Sequence, residues 1–378
     1  MSLLRPGRVA IAASLCLCLQ PLAAAPPGNW PQYRIGDAHT GLNPDETAIS
    51  TATAPALRLL WGTPLGSIVS ASPSVVASVV FIPAGDGRVY ALDSATGTQR
   101  WRSARIDAGT SSPALAHGRL YVGTGVDEGG VTALDATTGR VLWRTRVGGV
   151  GSSPAVAHGK VFVGSNDNRI VALDALSGDV TWSTPTDASV LASPAVAGGR
   201  VFAGSTSGTF YALDAATGRI AWTQTIGAPG PIFSSAAVVD GRVFVGATDF
   251  FTYALDAASG TILWRSATPS QVMLSSPAVA DGRVVVGTNE GDLFALDAAT
   301  GTRLWKTQIG GVINSSPAVA NGVVAVGCDC ARLTVLDVAS GAVLKTFDAF
   351  GPVLSSPAIS GGRVFVGSHD GQLRAYGL

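Results

Sequence analysis

The sequence carries little charge, and the charge it has is balanced. Only 13% of its 378 residues are charged, and basic and acidic residues number 25 each. A chain without a net charge has no global field that would attract nucleic acid, so we expect no nucleic-acid partner. Beyond residue 25 the chain also lacks the roughly 18 uninterrupted apolar residues that a membrane helix needs, so we expect no membrane span.

Cysteine is equally scarce. Two of the four cysteines, Cys16 and Cys18, lie near the N-terminus after leucines, which does not fit a lipid-attachment site. The others form Cys328-Asp329-Cys330 in a predicted turn. This pair could be two thiols in an exposed turn, a disulfide formed after export, or a soft-metal or redox site. Two thiolates are an incomplete ligand set and the histidines do not cluster, so we expect no metal site.

The first 25 residues have the pattern of an export signal. Arg5 and Arg8 precede an apolar stretch from Val9 to Leu19, and small residues follow at 23–25. This order of basic, apolar and small residues is typical of a cleaved signal peptide. We therefore expect an exported protein, periplasmic or extracellular, and a monomer.

One repeat accounts for most of the remaining chain. Its anchor is a Ser-Ser-Pro triplet, and in the fifth copy Ala replaces the proline. The third residue of the triplet recurs every 40 to 42 positions, at Pro73, Pro113, Pro154, Pro194, Ala236, Pro277, Pro317 and Pro357. A fixed period of this length is typical of repeat architectures such as β-propellers.

Each repeat predicts four short antiparallel strands. An apolar run after the anchor ends at a two-residue, glycine-containing turn such as His158-Gly159, a pattern that favours a hairpin. Two more strands and turns follow, and the fourth strand carries a tryptophan. The last repeat stops after three strands, whereas an extra tryptophan strand precedes the first anchor at Leu57–Trp61. The prediction is an all-β, eight-bladed β-propeller over residues 55–378, closed by pairing 57–64 with the C-terminal blade. An extended segment precedes it at 26–54, and no helix beyond a turn or two is expected.

A motif inside the repeat resembles a known family. The pattern Ala-Leu-Asp-x-x-Thr/Ser-Gly-x-x-x-Trp runs from Ala91 to Trp101 and recurs five more times in register. It resembles the tryptophan-docking motif of the pyrroloquinoline-quinone (PQQ) repeat family, which includes quinoprotein alcohol dehydrogenases and BamB. The N-terminal Asn29-Trp30-Pro31-Gln32-Tyr33 resembles the segment before the first blade of the dehydrogenases.

The tryptophans of this motif are expected to be structural. A large flat side chain can fill the gap between neighbouring wedge-shaped blades. A seventh, degenerate copy is placed at 335–347, with Phe347 in place of the tryptophan. The predicted docking residues are Trp61, Trp101, Trp143, Trp182, Trp222, Trp264, Trp305 and Phe347.

The resemblance implies PQQ and Ca²⁺ as cofactors, but the chain lacks features that go with them. It has no adjacent cysteine pair of the kind quinoproteins hold against the cofactor, and no Cys-x-x-Cys-His haem site. We therefore expect no cofactor and no catalytic residue. The favoured function is non-catalytic binding of a protein, peptide or envelope component, as the resemblance to BamB implies. The alternatives are a PQQ-dependent alcohol or sugar dehydrogenase and a purely structural surface protein.

Departures from the repeat suggest where a partner would bind. Three consecutive blades are entered through two successive apolar residues, and the fifth blade's second turn contains two adjacent phenylalanines instead of a polar pair. In a propeller these loops share one face, and exposed apolar patches mark binding sites. The alternative is that the side chains fill the inner channel. The candidate residues are Leu191, Phe233, Phe250, Phe251, Met273 and Leu274.

Overall fold

The computed structural model describes residues 28–125, 129–227 and 230–378. The predicted signal peptide lies outside these residues, as do Cys16, Cys18 and two residues of the loop before Phe233. In the described chain, eight antiparallel sheets surround a central axis, which confirms the eight-bladed propeller. The described residues contain no helix long and apolar enough to cross a membrane.

Each of the first four blades uses four consecutive strands, ordered from the axis outwards. Blade 1 contains β3 (Ser74–Val76), β4 (Val79–Ala84), β5 (Arg88–Asp93) and β6 (Gln99–Arg102). Blade 2 contains β7 (Ala114–Ala116), β8 (Arg119–Thr124), β9 (Gly130–Asp135) and β10 (Val141–Arg146). Blade 3 contains β11 (Ala155–Ala157), β12 (Lys160–Ser165), β13 (Arg169–Asp174) and β14 (Val180–Pro185). Blade 4 contains β15 (Ala195–Ala197), β16 (Arg200–Gly204), β17 (Thr209–Asp214) and β18 (Ile220–Thr225).

The next three blades repeat this order, and the eighth takes its outermost strand from near the N-terminus. Blade 5 contains β19 (Ala237–Val239), β20 (Arg242–Gly246), β21 (Phe251–Asp256) and β22 (Ile262–Ala267). Blade 6 contains β23 (Ala278–Ala280), β24 (Arg283–Gly287), β25 (Asp292–Asp297) and β26 (Arg303–Gln308). Blade 7 contains β27 (Ala318–Ala320), β28 (Val323–Cys328), β29 (Arg332–Asp337) and β30 (Val343–Asp348). Blade 8 contains β31 (Ala358–Ser360), β32 (Arg363–Gly367), β33 (Gln372–Gly377) and β2 (Arg58–Pro64).

Ring closure follows the prediction. Strand β2 pairs antiparallel with β33, from Arg58 opposite Gly377 to Pro64 opposite Gln372. Both termini of the propeller therefore lie in one sheet, and β33 has no free edge. The helical content of the described chain is one short 3₁₀ turn, η1 (Ala54–Ala56), and a two-residue strand, β1 (Leu42–Asn43), pairs in parallel with β27.

The tryptophans join neighbouring blades as predicted. The indole N–H of Trp182 donates to the carbonyl oxygen of Ala215 in the following blade at 3.1 Å. The same bond forms from Trp61, Trp101, Trp143, Trp222, Trp264 and Trp305. Each indole ring also packs against the motif glycine of the next blade. The packing is so close that a Cβ added to this glycine would lie within about 2.6 Å of the ring.

The assignment of Phe347 to the seventh docking position is wrong. In the β-ladder, Val335 pairs with Lys345 in the way that Ala295 pairs with Trp305, so Lys345 occupies the tryptophan position. Phe347 lies two residues further on and packs on Tyr376 of blade 8, with ring centroids 4.2 Å apart. In the other copies the tryptophan lies ten residues after the first residue of the motif, which places the seventh docking position at 345. The prediction chose Phe347 instead because it is aromatic.

The N-terminal segment fills the junction that lacks a tryptophan. Ile49, Ala54 and Leu57 are buried in the cluster that contains Tyr376, and Leu344 packs against the same cluster. The ammonium of Lys345 donates to the carbonyl oxygen of Pro55 at 3.2 Å. The junction between blades 7 and 8 is therefore stabilised by a segment from outside the repeats.

Substituting the motif glycine tests whether the tryptophan ring packs against the turn of the next blade. Gly218 has φ +73° and would place a Cβ 2.6 Å from Trp182, whereas Gly118 has φ +72° and nothing within 4 Å. Alanine at either position is strained by the left-handed backbone, which costs about 1 kcal/mol. Gly218→Ala also overpacks the indole, so we expect it to lose about 2 kcal/mol more than Gly118→Ala in urea unfolding. Equal losses would mean that the ring is not packed against the turn.

The Ser-Ser pairs of the anchor make two kinds of bond. The first serine accepts the amide of a glycine in its own blade, as Ser152 does from Gly164 at 3.0 Å. Blades 1 and 4 have Ala71 and Ala192 instead of this serine. In blade 1 the equivalent of the glycine is Pro83, which has no N–H to satisfy, whereas blade 4 keeps the glycine as Gly204. The second serine bonds between blades and belongs to the channel described next.

Candidate functional site: the central channel and its open face

The segment at residues 29–57, here called the strap, closes one end of the central channel. It crosses the innermost strands of all eight blades in chain order. Its partners in blades 1, 2, 4, 5, 6 and 7 are the backbone amides of Val75, Leu115, Val196, Val238, Val279 and Val319, which donate to strap carbonyls. In blade 3 the amide of Val156 donates to Gln32 Oε1, and in blade 8 Asn43 Nδ2 donates to Ile359 O, at 2.9 and 2.8 Å.

Two strap side chains close this end: Tyr33 forms the floor of the channel, and Arg34 is buried beneath it. The hydroxyl of Tyr33 lies 3.0 Å from Ser316 Oγ and 3.3 Å from Ser276 Oγ. The guanidinium of Arg34 donates to the carbonyl oxygens of Pro277 and His39. Arg34 is only 2% exposed, and it forms no ion pair with any acidic residue in the described chain. Burial lowers its pKa to about 10, so the guanidinium remains protonated at neutral pH.

Above this floor, the second serines of the eight anchors form a closed hydrogen-bonded ring, the serine ring. Each backbone amide donates to the hydroxyl of the same serine in the next blade, and the last bond runs from Ser356 to Ser72. All eight bonds are 2.9 to 3.0 Å long. The members are Ser72, Ser112, Ser153, Ser193, Ser235, Ser276, Ser316 and Ser356. The repeated serine is therefore explained by the closure of the channel wall.

Over the serine ring the channel widens into a funnel of about 260 Å³. It opens on the face that carries the loops entering each blade and the second turns within the blades, here called the open face. The residue before each Ser-Ser or Ala-Ser pair lines its rim: Ser70, Thr110, Gly151, Leu191, Phe233, Leu274, Asn314 and Leu354. This rim residue is apolar in blades 4, 5, 6 and 8, and it is polar or glycine in the other four blades. No charged side chain lines the funnel among the described residues.

The structure divides the predicted site residues into two groups. Leu191, Phe233 and Leu274 line the funnel, so the alternative that they lie in the channel is partly right, although Leu191 and Leu274 remain 37% and 46% exposed. Phe250 stands outside the funnel on the open face and is 47% exposed. Met273 is half-buried. Phe251 is also half-buried, with the guanidinium of Arg265 4.8 Å from its ring centroid.

Two exposed apolar residues of the open face were missed. Phe350 is 79% exposed in the loop that enters blade 8, and Ile68 is 48% exposed in the loop that enters blade 1. The guanidinium carbon of Arg374 lies 5.5 Å from the Phe350 ring centroid. Neither residue occupies one of the two positions directly before a serine pair, and Phe350 lies five residues before Ser355. An apolar residue beside Gly351-Pro352, in a loop of otherwise small side chains, was the available signal.

The Cys-x-Cys turn contains a disulfide. Cys328 and Cys330 are bonded to each other, which selects one of the three alternatives left open by the sequence. Cys328 is fully buried and Cys330 is half-buried. Within the described residues no group of three or more His, Cys, Asp or Glu side chains is placed to hold a metal ion.

A buried histidine lies beside the channel floor. His39 is 0% exposed, and neither ring nitrogen has a hydrogen-bond partner among the described residues. Its ring packs edge-on against Tyr33, with centroids 5.4 Å apart. Burial, and then the nearby charge of Arg34, lower the His39 pKa to about 3. The imidazole is therefore neutral over the whole physiological range, and the strap contains one buried cation instead of two.

The residues of the funnel do not fit PQQ with its calcium ion. PQQ carries three carboxylates, and a calcium site needs several carboxylate or carbonyl oxygens at one place. The funnel offers hydroxyls, one amide and a single guanidinium beneath its floor. It offers no converging acids within the described chain. Its chemistry is that of a neutral, partly apolar pocket over one buried positive charge.

Comparison with known proteins identifies the family. Residues 45–127, 127–237, 228–312 and 289–377 each match the PQQ repeat family described as outer membrane protein assembly factor BamB. The chain belongs to this family. It shares its fold with BamB from Moraxella catarrhalis, at 21% identity and a TM-score of 0.73 over 85% of this chain and 98% of the other.

Dehydrogenases are similar as well. A europium-containing methanol dehydrogenase has the same fold, with a TM-score of 0.80 at 15% identity over 93% of this chain and 98% of the other. A polyvinylalcohol dehydrogenase from a Pseudomonas species is 28% identical over 196 residues, which are 44% of this chain and 30% of that protein. The chain spans less than a third of the length of the curated relatives it matches.

Proposed function

We propose that this chain is a non-catalytic binding protein of the extracytoplasmic space, and that a protein or peptide partner binds to the open face. The observation that carries the proposal is the concentration of exposed apolar side chains around the funnel. Five large ones are at least 37% exposed there: Ile68, Leu191, Phe250, Leu274 and Phe350. Apolar side chains grouped on one surface gain free energy when a partner covers them.

The backbone at two of these residues supports a role in binding. Phe250 has φ +72° and Phe350 has φ +61°. A left-handed backbone is unfavourable for a bulky residue, and glycine or asparagine would relieve the strain. An exposed phenylalanine at such a position adds little to the stability of the fold. A contact with a partner supplies a reason for both rings, because aromatic side chains contribute much of the binding energy of interfaces.

A PQQ-dependent dehydrogenase is the second candidate function, and the similarity to proteins named as dehydrogenases favours it. The lining of the funnel argues against a dehydrogenase, because the funnel lacks the groups that a calcium ion and the three carboxylates of PQQ require. The export signal predicted at residues 1–25 agrees with either function.

The proposed surface can be tested with a matched pair of variants. We expect Phe250→Ser combined with Phe350→Ser to reduce recovery of the partner from an envelope extract at least about tenfold, because two anchors of the interface are removed. The control is Leu176→Ser, since Leu176 is 62% exposed but lies in a turn on the opposite face. Partner recovery that falls with the control and not with the double variant would reject the open face as the binding surface.

A further inference from the structure

The first observation behind this inference is the isolated charge of Arg34. A buried cation normally has an acidic partner, because removing a charge from water costs free energy that the partner returns. Arg34 donates to the carbonyl oxygens of His39, Pro277 and Pro317, and beside these it has the neighbouring Tyr33 side chain but no carboxylate. Pro277 and Pro317 directly follow two members of the serine ring, so the guanidinium lies immediately beneath that ring. The channel floor therefore carries a positive charge that no described residue balances.

The second observation concerns the hydroxyl hydrogens of the serine ring. Each hydroxyl accepts one amide, which uses a lone pair and leaves the O–H free to donate. Apart from the contacts of Tyr33 with Ser276 and Ser316, no acceptor for these hydrogens is found in the described chain. All eight serines are at least nine-tenths buried. The wall of the channel thus presents a circle of donors above a cation.

The third observation is the division of the rim. Leu191, Phe233 and Leu274 come from three consecutive blades and form an apolar crescent. Opposite them stand Ser70 and Thr110, with Leu354 of blade 8 as the one apolar residue on that side, and the Ser70 hydroxyl is occupied by His369 Nε2 at 2.9 Å. A ligand that enters the funnel meets apolar surface on one side before it reaches the donors.

We propose that the funnel binds a carboxylate carried on a short apolar chain. The carboxylate accepts hydrogen bonds from the serine ring and lies in the field of Arg34, and the chain packs against Leu191, Phe233 and Leu274. One carboxylate matches the single buried cation, whereas the three of PQQ exceed it. This inference rests on the proposed function of the open face and adds the chemistry that the face recognises. The C-terminus of a partner polypeptide and a free short-chain acid share this chemistry.

Calorimetry on the full chain with three six-carbon probes tests the charge requirement. Hexanoate should bind saturably. Hexanamide and hexylammonium should bind at least about tenfold more weakly, because charge-assisted hydrogen bonds are worth that much. Equal affinity for hexanoate and hexanamide, or no binding of hexanoate by a folded protein, would overturn the proposal.

Variants then assign the site. Arg34→Met should abolish hexanoate binding. If that variant does not fold, Ser112→Ala combined with Ser193→Ala removes two free donors and should weaken hexanoate severalfold. Leu274→Ala should weaken hexanoate severalfold because the chain loses apolar contact. Leu176→Ser, on the opposite face, should bind as the unchanged protein does, and a loss with Leu176→Ser alone would place the site elsewhere.

Peptides separate the two sources of carboxylate. A peptide ending in Leu-Phe with a free C-terminus should displace hexanoate if the ligand is a polypeptide end, whereas its amidated form should not. Displacement by neither peptide, with hexanoate binding intact, assigns the site to free acids.

Partner capture from the envelope extract is a separate measurement. Capture without hexanoate binding would reject the carboxylate site and leave the proposed function standing. Hexanoate binding without capture would reject the proposed function and leave the carboxylate site standing.

Discussion

Deleting residues 55–64 is expected to yield an open ring that is recovered mainly as aggregate. The deletion removes β2, so the whole length of β33 becomes an unpaired edge. It also removes Trp61, whose indole N–H donates to the carbonyl oxygen of Ser94 and joins blade 8 to blade 1 at 3.1 Å. Free strand edges promote pairing with other chains. The measurement is the monomer fraction in size-exclusion chromatography of the refolded protein.

Two controls identify the cause of this aggregation. A peptide spanning residues 52–66, added during refolding, should restore monomer because it can occupy the vacant position in blade 8. Trp61→Ala keeps the strand and removes the indole, so it should remain monomeric while losing about 3 kcal/mol of stability. A deleted chain that stays monomeric with unchanged melting would contradict closure by the N-terminal strand.

Acidification should destabilise the protein through His39. The folded-state pKa of this residue is lowered to about 3, whereas an unfolded histidine has the ordinary value of 6.5. Below pH 6.5 the unfolded chain therefore binds a proton that the folded chain excludes, and stability falls as the pH falls. At pH 4 the contribution amounts to about 3 kcal/mol, and it stops growing once the pH passes below the folded-state pKa.

Comparing two histidine variants isolates this effect from other titrating groups. His39 and His117 both have a left-handed backbone, φ +54° and +50°, which asparagine tolerates. His39→Asn should lose much less stability between pH 7 and pH 4 than the unchanged protein does, as measured by urea unfolding. His117→Asn, in an exposed turn, should keep the full pH dependence. The same dependence in all three proteins would show that His39 is not buried as a neutral ring.

The repeated parts of the fold could be predicted from sequence because the same constraints recur from blade to blade. The second serine of the anchor recurs in all eight blades, and the docking tryptophan recurs in seven of them, each packed on a turn glycine of the next blade. Closure was also predictable, since a tryptophan strand stood at one end of the chain and was missing at the other. Lys345 shows the limit: where the motif degenerates, aromatic character pointed to Phe347, and only the ladder register decided the position.

The channel floor could not be predicted, because the strap has no period. Its course depends on backbone amides of seven blades and a backbone carbonyl of the eighth, and nothing in residues 29–43 indicates that Tyr33 forms the channel floor with Arg34 buried beneath it. The candidate face was found only in part for a related reason. Leu191, Phe233 and Leu274 were recognised as departures at one aligned position, whereas Phe350 lies in a loop where the repeats do not align.

Whether the chain binds a partner or catalyses a dehydrogenation is tested most directly by a titration with PQQ in the presence of Ca²⁺. The full chain is followed by quinone absorbance and by dye-linked alcohol oxidation. We expect no saturable binding at micromolar PQQ and no alcohol oxidation, because the funnel provides one buried cation and no calcium ligands. Saturable binding accompanied by alcohol-dependent dye reduction would contradict a non-catalytic function and establish a quinoprotein dehydrogenase.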